Sequence, residues 1–67
     1  MQTKFLTEKR VSEMTSIPLQ TLRNYRFQRK GIAYIKIGRS VRYEVSDILD
    51  FMEKRKIQTE DAAGERE

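Results

Sequence analysis

A long segment of the sequence contains bases and no acid. Residues 14–43 include no Asp or Glu, and seven cationic side chains lie among them: Arg23, Arg26, Arg29, Lys30, Lys36, Arg39 and Arg42. Residues 1–57 hold 13 Lys or Arg and six Asp or Glu, a net charge of +7, whereas residues 58–67 have a net charge of −3. This segregation favours a polyanionic partner. On charge alone, an ordinary solvated basic face is an equally good interpretation.

Residue types that support catalysis or metal binding are scarce. The sequence has no Cys and no His, so the usual zinc ligands are missing. Asp47 and Asp50 are one helical turn apart and are better explained as partners of a helix dipole than as an acid–base pair. Gly38 and Arg39 lack the glycine pattern and the following helix of a phosphate-binding loop. We therefore expect no enzymatic activity, no cofactor and no bound metal.

The length of 67 residues predicts one small domain. The first ten residues lack the apolar stretch of a signal peptide, and no segment approaches the roughly 20 apolar residues of a membrane span. The absence of Cys fits a reducing compartment. We expect a cytoplasmic protein that does not enter a membrane.

Local signals predict two helices joined by a tight turn. Thr7 is suited to cap the first helix. Pro18 ends any continuation of that helix and can occupy the first position of a second one, for which Gly31 is a plausible C-terminal glycine. We predict helices at about residues 8–14 and 18–29, with a turn at 15–17.

Residues 34–43, YIKIGRSVRY, predict a β-hairpin because apolar and basic side chains alternate on both sides of Gly38. A two-residue loop would divide the apolar residues between the two faces, whereas a three-residue loop at 38–40 places them on one face. Since the buried face sets the register, we predict three pairs: Ile37 with Val41, Ile35 with Tyr43, and Lys36 with Arg42. The last pair sets two like charges side by side, which is destabilising unless an anion lies along them.

A third helix follows, with Ser46 as its predicted cap. Its apolar stripe is formed by Ile48, Leu49 and Met52, and Phe51 either extends the stripe or stays partly exposed. We predict a domain at residues 1–57 and a disordered acidic tail at 58–67. The fold class is therefore mainly α with a β-hairpin, in the order helix, turn, helix, hairpin, helix. This is the order of a winged helix-turn-helix.

Four spaced motifs occur in the order typical of one known family. They are LT at the first helix, TLRNYR in the second, YIKIGRSVRY in the hairpin, and an acid and an aromatic, Asp47 and Phe51, in the third. With these motifs, the segment from Leu6 to Met52 resembles the excisionase-like and AlpA-like helix-turn-helix proteins, which are close to the winged-helix DNA-binding part of MerR regulators. Family members often have a tryptophan where Tyr25 stands. The resemblance implies sequence-specific binding to duplex DNA.

The resemblance places the second helix in the major groove and the hairpin, as a wing, on the adjacent backbone or minor groove. It implies base contacts on the second helix by Gln20, Thr21, Arg23, Asn24 and Phe27. It implies backbone or wing contacts by Arg26, Lys36, Arg39, Ser40 and Arg42.

Three of these residues have an alternative interpretation. Thr21 can bond to the backbone or to a phosphate instead of a base. Phe27 can be an exposed aromatic without a role. Arg26 lies near Leu22 on the helical wheel, and it can pair inside the fold with an acid such as Asp47 or Asp50.

The family includes excision factors of phages and mobile elements and small transcription regulators. The implied partners are duplex DNA, an integrase or RNA polymerase, and further copies of the chain side by side on DNA. The alternative is an adaptor of the same fold that binds an acidic surface of a recombinase or a polymerase. RNA binding is weaker as an interpretation, because stacking platforms for single strands are not evident.

Overall fold

The structure is a computed structural model that describes residues 5–59. These residues form three helices and a three-stranded sheet. The elements in chain order are β1 (Phe5–Thr7), α1 (Glu8–Thr15), α2 (Leu19–Phe27), β2 (Ile35–Ile37), β3 (Ser40–Glu44) and α3 (Val45–Lys54). The sheet is antiparallel, in the order β1-β3-β2. The predicted fold class, a small winged helix-turn-helix, is confirmed. The predicted acidic tail lies outside the described residues, except for positions 58 and 59.

Local hydrogen bonds define both ends of α1. Thr7 caps the helix as predicted, since its Oγ1 accepts a hydrogen bond from the Arg10 N–H at 3.2 Å. At the other end, Ser16 adopts a left-handed conformation (φ 63°) and donates its N–H to the carbonyl of Ser12 at 2.8 Å. The Ser12 hydroxyl donates to the Ile17 carbonyl at 2.6 Å. These bonds fix the turn that leads into α2.

Pro18 lies just before α2 rather than at its first position. Its backbone is extended (ψ 142°), and its carbonyl accepts hydrogen bonds from the N–H groups of Thr21 and Leu22 at 3.0 and 3.1 Å. The prediction is wrong by one residue. Proline suits either position, because the N–H that it lacks would make no helical hydrogen bond in either of them.

α2 ends two residues earlier than predicted, with Gln28 as its C-cap, and the left-handed residue that follows the cap is Arg29 rather than Gly31. Arg29 has φ 57° and donates its N–H to the Arg26 carbonyl at 3.0 Å, while Lys30 donates to the Tyr25 carbonyl at 2.8 Å. This pair of bonds is a Schellman motif, which usually has glycine at the left-handed position. Gly31, at φ 83°, is needed for another reason: a Cβ there would lie 2.8 Å from Cδ2 of Tyr25.

The sheet has one strand that the sequence did not predict. β1 pairs with β3 so that Leu6 lies opposite Tyr43, and Leu6 packs against the core. β3 is therefore the central strand. The wing is attached to the body of the domain through β1 as well as through the chain on either side of the hairpin.

The predicted register of the hairpin is wrong. Ile35 pairs with Arg42, Lys36 with Val41, and Ile37 with Ser40, so the loop has two residues. Glycine with a positive φ (60°) at the first loop position fits a type II′ turn.

This register changes which side chains share a face. Lys36 and Arg42 lie on opposite faces of the sheet, so the predicted like-charge pair does not form. Ile35 and Ile37 leave the core and are 38% and 70% exposed. The prediction failed because it assumed that every isoleucine of the hairpin must be buried, which is not a requirement for surface strands.

The core is formed by Val11, Leu22, Ile32, Tyr43, Ile48 and Phe51. α3 contributes the last two, which are three residues apart and share one side of the helix. Leu49 and Met52, which we predicted to pack inward, are 55% and 43% exposed. α3 therefore buries a narrower stripe than its composition indicated.

α3 begins earlier than predicted. Glu44 is both the last residue of β3 and the N-cap position of α3, with an extended backbone (ψ 136°). Ser46 consequently lies inside the helix and cannot cap it. The sequence signal was misleading because strand and helix follow each other without a loop.

Replacing Gly31 with alanine should lower the free energy of unfolding by about 2–4 kcal/mol, since the left-handed backbone and the Tyr25 ring both oppose a Cβ. Gly38→Ala is the matched control. Gly38 also has a positive φ, but no described atom beyond its chain neighbours lies within 4 Å of its Cβ position. It should cost only about 1–2 kcal/mol. Urea unfolding followed by circular dichroism measures both, and equal losses would contradict the role of the Tyr25 contact.

Candidate nucleic-acid interface

The outward face of α2 presents side chains that can hydrogen-bond to bases. Gln20, Arg23 and Asn24 are exposed, and Thr21 is half-buried. The Gln20 amide donates to Oδ1 of Asn24 at 3.1 Å, one turn along, so the two amides lie together on one side of the helix. Leu22 is buried on the other side. The helix therefore has a polar outward face and an apolar inward one.

Phe27 is 81% exposed at the end of the same helix. It lies three residues after Asn24 and four after Arg23, and it therefore continues their surface toward the C-terminus of α2. A single exposed aromatic side chain is common on protein surfaces, so its exposure alone assigns no function.

Glu8 is the centre of a charged cluster beneath this face. Its carboxylate accepts two hydrogen bonds from Arg26, Nε to Oε2 at 2.7 Å and Nη2 to Oε1 at 3.1 Å. Oε2 also accepts a hydrogen bond from the Tyr43 hydroxyl at 2.7 Å. The acid that pairs with Arg26 is thus Glu8, not Asp47 or Asp50. The geometry favours the structural interpretation of Arg26 over the phosphate contact.

The pKa values of three groups follow from this geometry. Burial raises the pKa of Glu8, but the hydrogen bonds from Arg26 and Tyr43 and the charges of Arg26 and Arg23 offset it, and the net pKa is below its ordinary value. The hydrogen bond to Glu8 raises the pKa of Arg26. Burial, and then the bond to Glu8, raises the pKa of Tyr43. At neutral pH the carboxylate therefore accepts and both partners donate.

Arg23 approaches the same carboxylate less closely. Its Nε lies 3.7 Å from Oε1 of Glu8, beyond the usual length of a hydrogen bond, and its side chain is 49% exposed. The side chains of Arg26 and Glu8 are only 20% and 12% exposed. Arg23 is therefore the member of the cluster that solvent, or a ligand, can reach.

The wing presents its cations on two different faces. Lys36, Arg39 and Ser40 are exposed, with Arg39 in the loop. Arg42 is half-buried on the outer face of the sheet, where Nη1 donates to the Val41 carbonyl at 2.8 Å. The hairpin thus offers a basic loop and one cation on each face of the sheet, rather than the single basic face that the predicted register implied.

A family model described as a helix-turn-helix domain matches residues 5–56. The chain belongs to this family. No curated protein matches the sequence at a significant level. Membership in the helix-turn-helix family supports DNA binding in general, and such domains are typically not enzymes.

In this helix-turn-helix domain, the sequence indicated the exposed residues of α2. It did not indicate two residues that contact Arg26 beneath them. Neither Glu8 nor Tyr34 was predicted to belong to the site. The centroid of the Tyr34 ring lies 6.2 Å from the centroid of the Tyr43 ring. The same centroid lies 5.8 Å from Cζ of Arg26. One signal pointed to Glu8. Arg26 lies near the buried side of its helix, within a segment that has no acid. Its acidic partner must therefore come from another part of the chain.

Other kinds of site are not evident in residues 5–59 of the helix-turn-helix domain. Within that range, no three acidic side chains are grouped so that they could hold a metal ion. The helices described there are too short or too polar to cross a membrane.

Glu8→Gln should lower the free energy of unfolding at pH 7 by about 1.5–3 kcal/mol, because it removes the charge that accepts three hydrogen bonds. Since the folded pKa of Glu8 is lowered, this stabilisation is present above the unfolded value of about 4.3 and is lost as pH falls through the folded value. The difference between wild type and variant should therefore shrink in acid. Urea unfolding from pH 7 to pH 3 measures it.

Glu13→Gln is the control for that series. Glu13 is 56% exposed and lies 4.0 Å from Arg10, and exposed pairs of this kind contribute less than about 1 kcal/mol. A Glu8→Gln curve that runs parallel to wild type at every pH would contradict the lowered pKa.

Proposed function

We propose that this protein is a sequence-specific binder of duplex DNA, with α2 in the major groove and the β2–β3 hairpin as a wing on the adjacent backbone. The observation that supports it most directly is the outward face of α2. In a helix-turn-helix domain the second helix enters the groove with its N-terminal half. Here that half exposes Gln20 and Arg23, and Asn24 is exposed one turn after Gln20, with no acid among them.

The side chains of this face match the chemistry of base edges. Arginine pairs bidentately with guanine, and glutamine or asparagine pairs with adenine. The hydrogen bond between Gln20 and Asn24 holds two amides in a fixed relation before DNA arrives, which reduces the entropy lost on binding. Thr21 is placed to bond to a base or a phosphate, and Phe27 to contact a thymine methyl group or a sugar.

The wing supplies contacts that are independent of sequence. Lys36, Ser40 and Arg42 would bond to phosphates. Arg39, at the loop, would enter a minor groove, where a narrow groove concentrates negative potential. The two-residue loop supports this role because it makes the hairpin tip short and leaves Arg39 exposed.

We assign the protein to excision factors, which set the direction of recombination, or to small transcription regulators. A single domain of this size buries a modest interface on DNA. Tight binding would then require adjacent copies side by side on repeated sites, or contact with an integrase or RNA polymerase. Residues 1–57 would form the binding domain and 58–67 an acidic tail.

An adaptor that binds protein is the second candidate, and one observation favours it. The outer face of the sheet exposes Phe5, Ile35 and Ile37, at 48%, 38% and 70%, around Arg42. Apolar side chains grouped in this way can form a protein contact. In this hypothesis the basic residues would bind an acidic protein surface.

Arg23→Ala and Lys36→Ala should have different effects on DNA binding. Arg23→Ala should weaken binding to the preferred duplex by about 1–3 kcal/mol and relax sequence preference, whereas Lys36→Ala should weaken all duplexes alike and reduce the salt slope by about 1. Selection from a random duplex pool, followed by titration at several salt concentrations, measures both. With about five phosphates neutralised, log K should fall with log salt at a slope of about −4 to −5.

Lys56→Ala is the control, since it also removes one positive charge but lies beyond α3, near Glu53. It should leave both preference and slope close to wild type. The DNA hypothesis would be contradicted by an absence of binding at about 50 mM salt, where phosphate contacts are strong. A bound protein in place of DNA would then favour the adaptor.

A further inference from the structure

The carboxylate of Glu8 is shared unequally between two arginines. Arg26 occupies both oxygens at hydrogen-bonding distance, and the Tyr43 hydroxyl adds a third bond to Oε2. Arg23 reaches only Oε1, at 3.7 Å. One negative charge thus lies beside two positive charges. The excess positive charge lies on Arg23, whose side chain is more exposed than that of Arg26.

We infer that Glu8 is a positioning residue for Arg23 and thereby a determinant of sequence specificity. This inference rests on the proposed DNA binding. Glu8 acts through Arg23 and touches no DNA itself, since its side chain is only 12% exposed.

The first effect of Glu8 on Arg23 is to restrain it. A free arginine side chain samples many rotamers, and part of this conformational entropy is lost when the guanidinium is fixed on a base. A carboxylate 3.7 Å from Nε limits the rotamers of Arg23 before DNA binds. Because this distance is longer than a hydrogen bond, the Arg23 guanidinium can still leave the carboxylate and bind a base.

The second effect is to disfavour contacts that lack specificity. A carboxylate beside Arg23 reduces the attraction of this guanidinium for a phosphate, which can be reached from many directions. A base edge with two acceptors compensates by forming two directed hydrogen bonds. Glu8 therefore lowers binding to any backbone more than binding to the correct base.

The experiment compares two duplexes in each variant: the one enriched from a random pool by the wild-type protein, and a scrambled duplex of the same length. Glu8→Gln should lower the ratio of the two affinities by about tenfold, which is part of the discrimination that one bidentate base contact provides. Affinity for the scrambled duplex should stay the same or rise. In an Arg23→Ala background the substitution should leave the ratio unchanged.

Tyr43→Phe is the matched control. It removes a 2.7 Å hydrogen bond from the same carboxylate but leaves Arg23 and Oε1 of Glu8 in place. It should destabilise the fold and leave the affinity ratio within about twofold of wild type. Equal loss of the ratio in Tyr43→Phe and Glu8→Gln would overturn the inference, because it would show a general effect of a loosened fold.

A measurement on the free protein separates this inference from the DNA hypothesis. The Arg23 Nε–H signal in NMR spectra should differ from that of exposed Arg39 and should shift toward it in Glu8→Gln, or in Glu8→Asp if the glutamine variant does not fold. An Arg23 signal that is the same with and without the carboxylate would overturn the inference whether or not DNA binds. Sequence-selective binding that Glu8→Gln leaves intact would overturn it while the proposed function stands.

Discussion

The arrangement of this domain depends on one partly buried carboxylate. Glu8 begins α1, Arg26 lies near the end of α2, and Tyr43 is in the central strand β3. Three hydrogen bonds of 2.7 to 3.1 Å join these elements at one point. Charged hydrogen bonds in a partly buried site are strong and directional. They therefore fix the angle of α2 relative to the sheet more closely than apolar packing alone would. The surface of α2 and the wing thus keep a constant relation.

The core around this cluster is small, and its requirements are specific. Tyr43 fills the centre with its ring and bonds to Glu8 with its hydroxyl, so that one residue serves both packing and polar satisfaction. Gly31 lets the chain pass close to the Tyr25 ring before Ile32 enters the core. Because the sequence contains no Cys, these contacts stabilise the small core without a disulfide.

The sequence predicted those features that local chemistry determines. Thr7 as a cap and the turn before Pro18 both follow from interactions within a few residues. The hairpin was predicted but its register was not, because the choice of loop assumed that Ile35 and Ile37 are buried. β1 was missed because it has only three residues and its last one, Thr7, is also the N-cap of α1. The sequence signal there is that of a helix start.

The candidate site was predicted on α2 and only in part elsewhere. An internal ion pair was one of the two predictions for Arg26, but its partner lies 18 residues away in sequence, and Tyr43 lies 35 residues from Glu8. Such pairs depend on how helices and strands pack, and no periodicity indicates them. For the same reason the sequence did not show that Arg23 lies beside a carboxylate.

Mapping the surface that meets DNA is the most direct test of this account. Backbone and side-chain amide NMR signals would be followed while the duplex enriched from a random pool is added at about 50 mM salt, where phosphate contacts are strong. We expect the largest shifts at Gln20, Arg23 and Asn24, with smaller ones at Arg39, and little change at the buried Leu22. Shifts confined to Phe5 and Ile37, or no shifts at all, would contradict a DNA-binding role for α2.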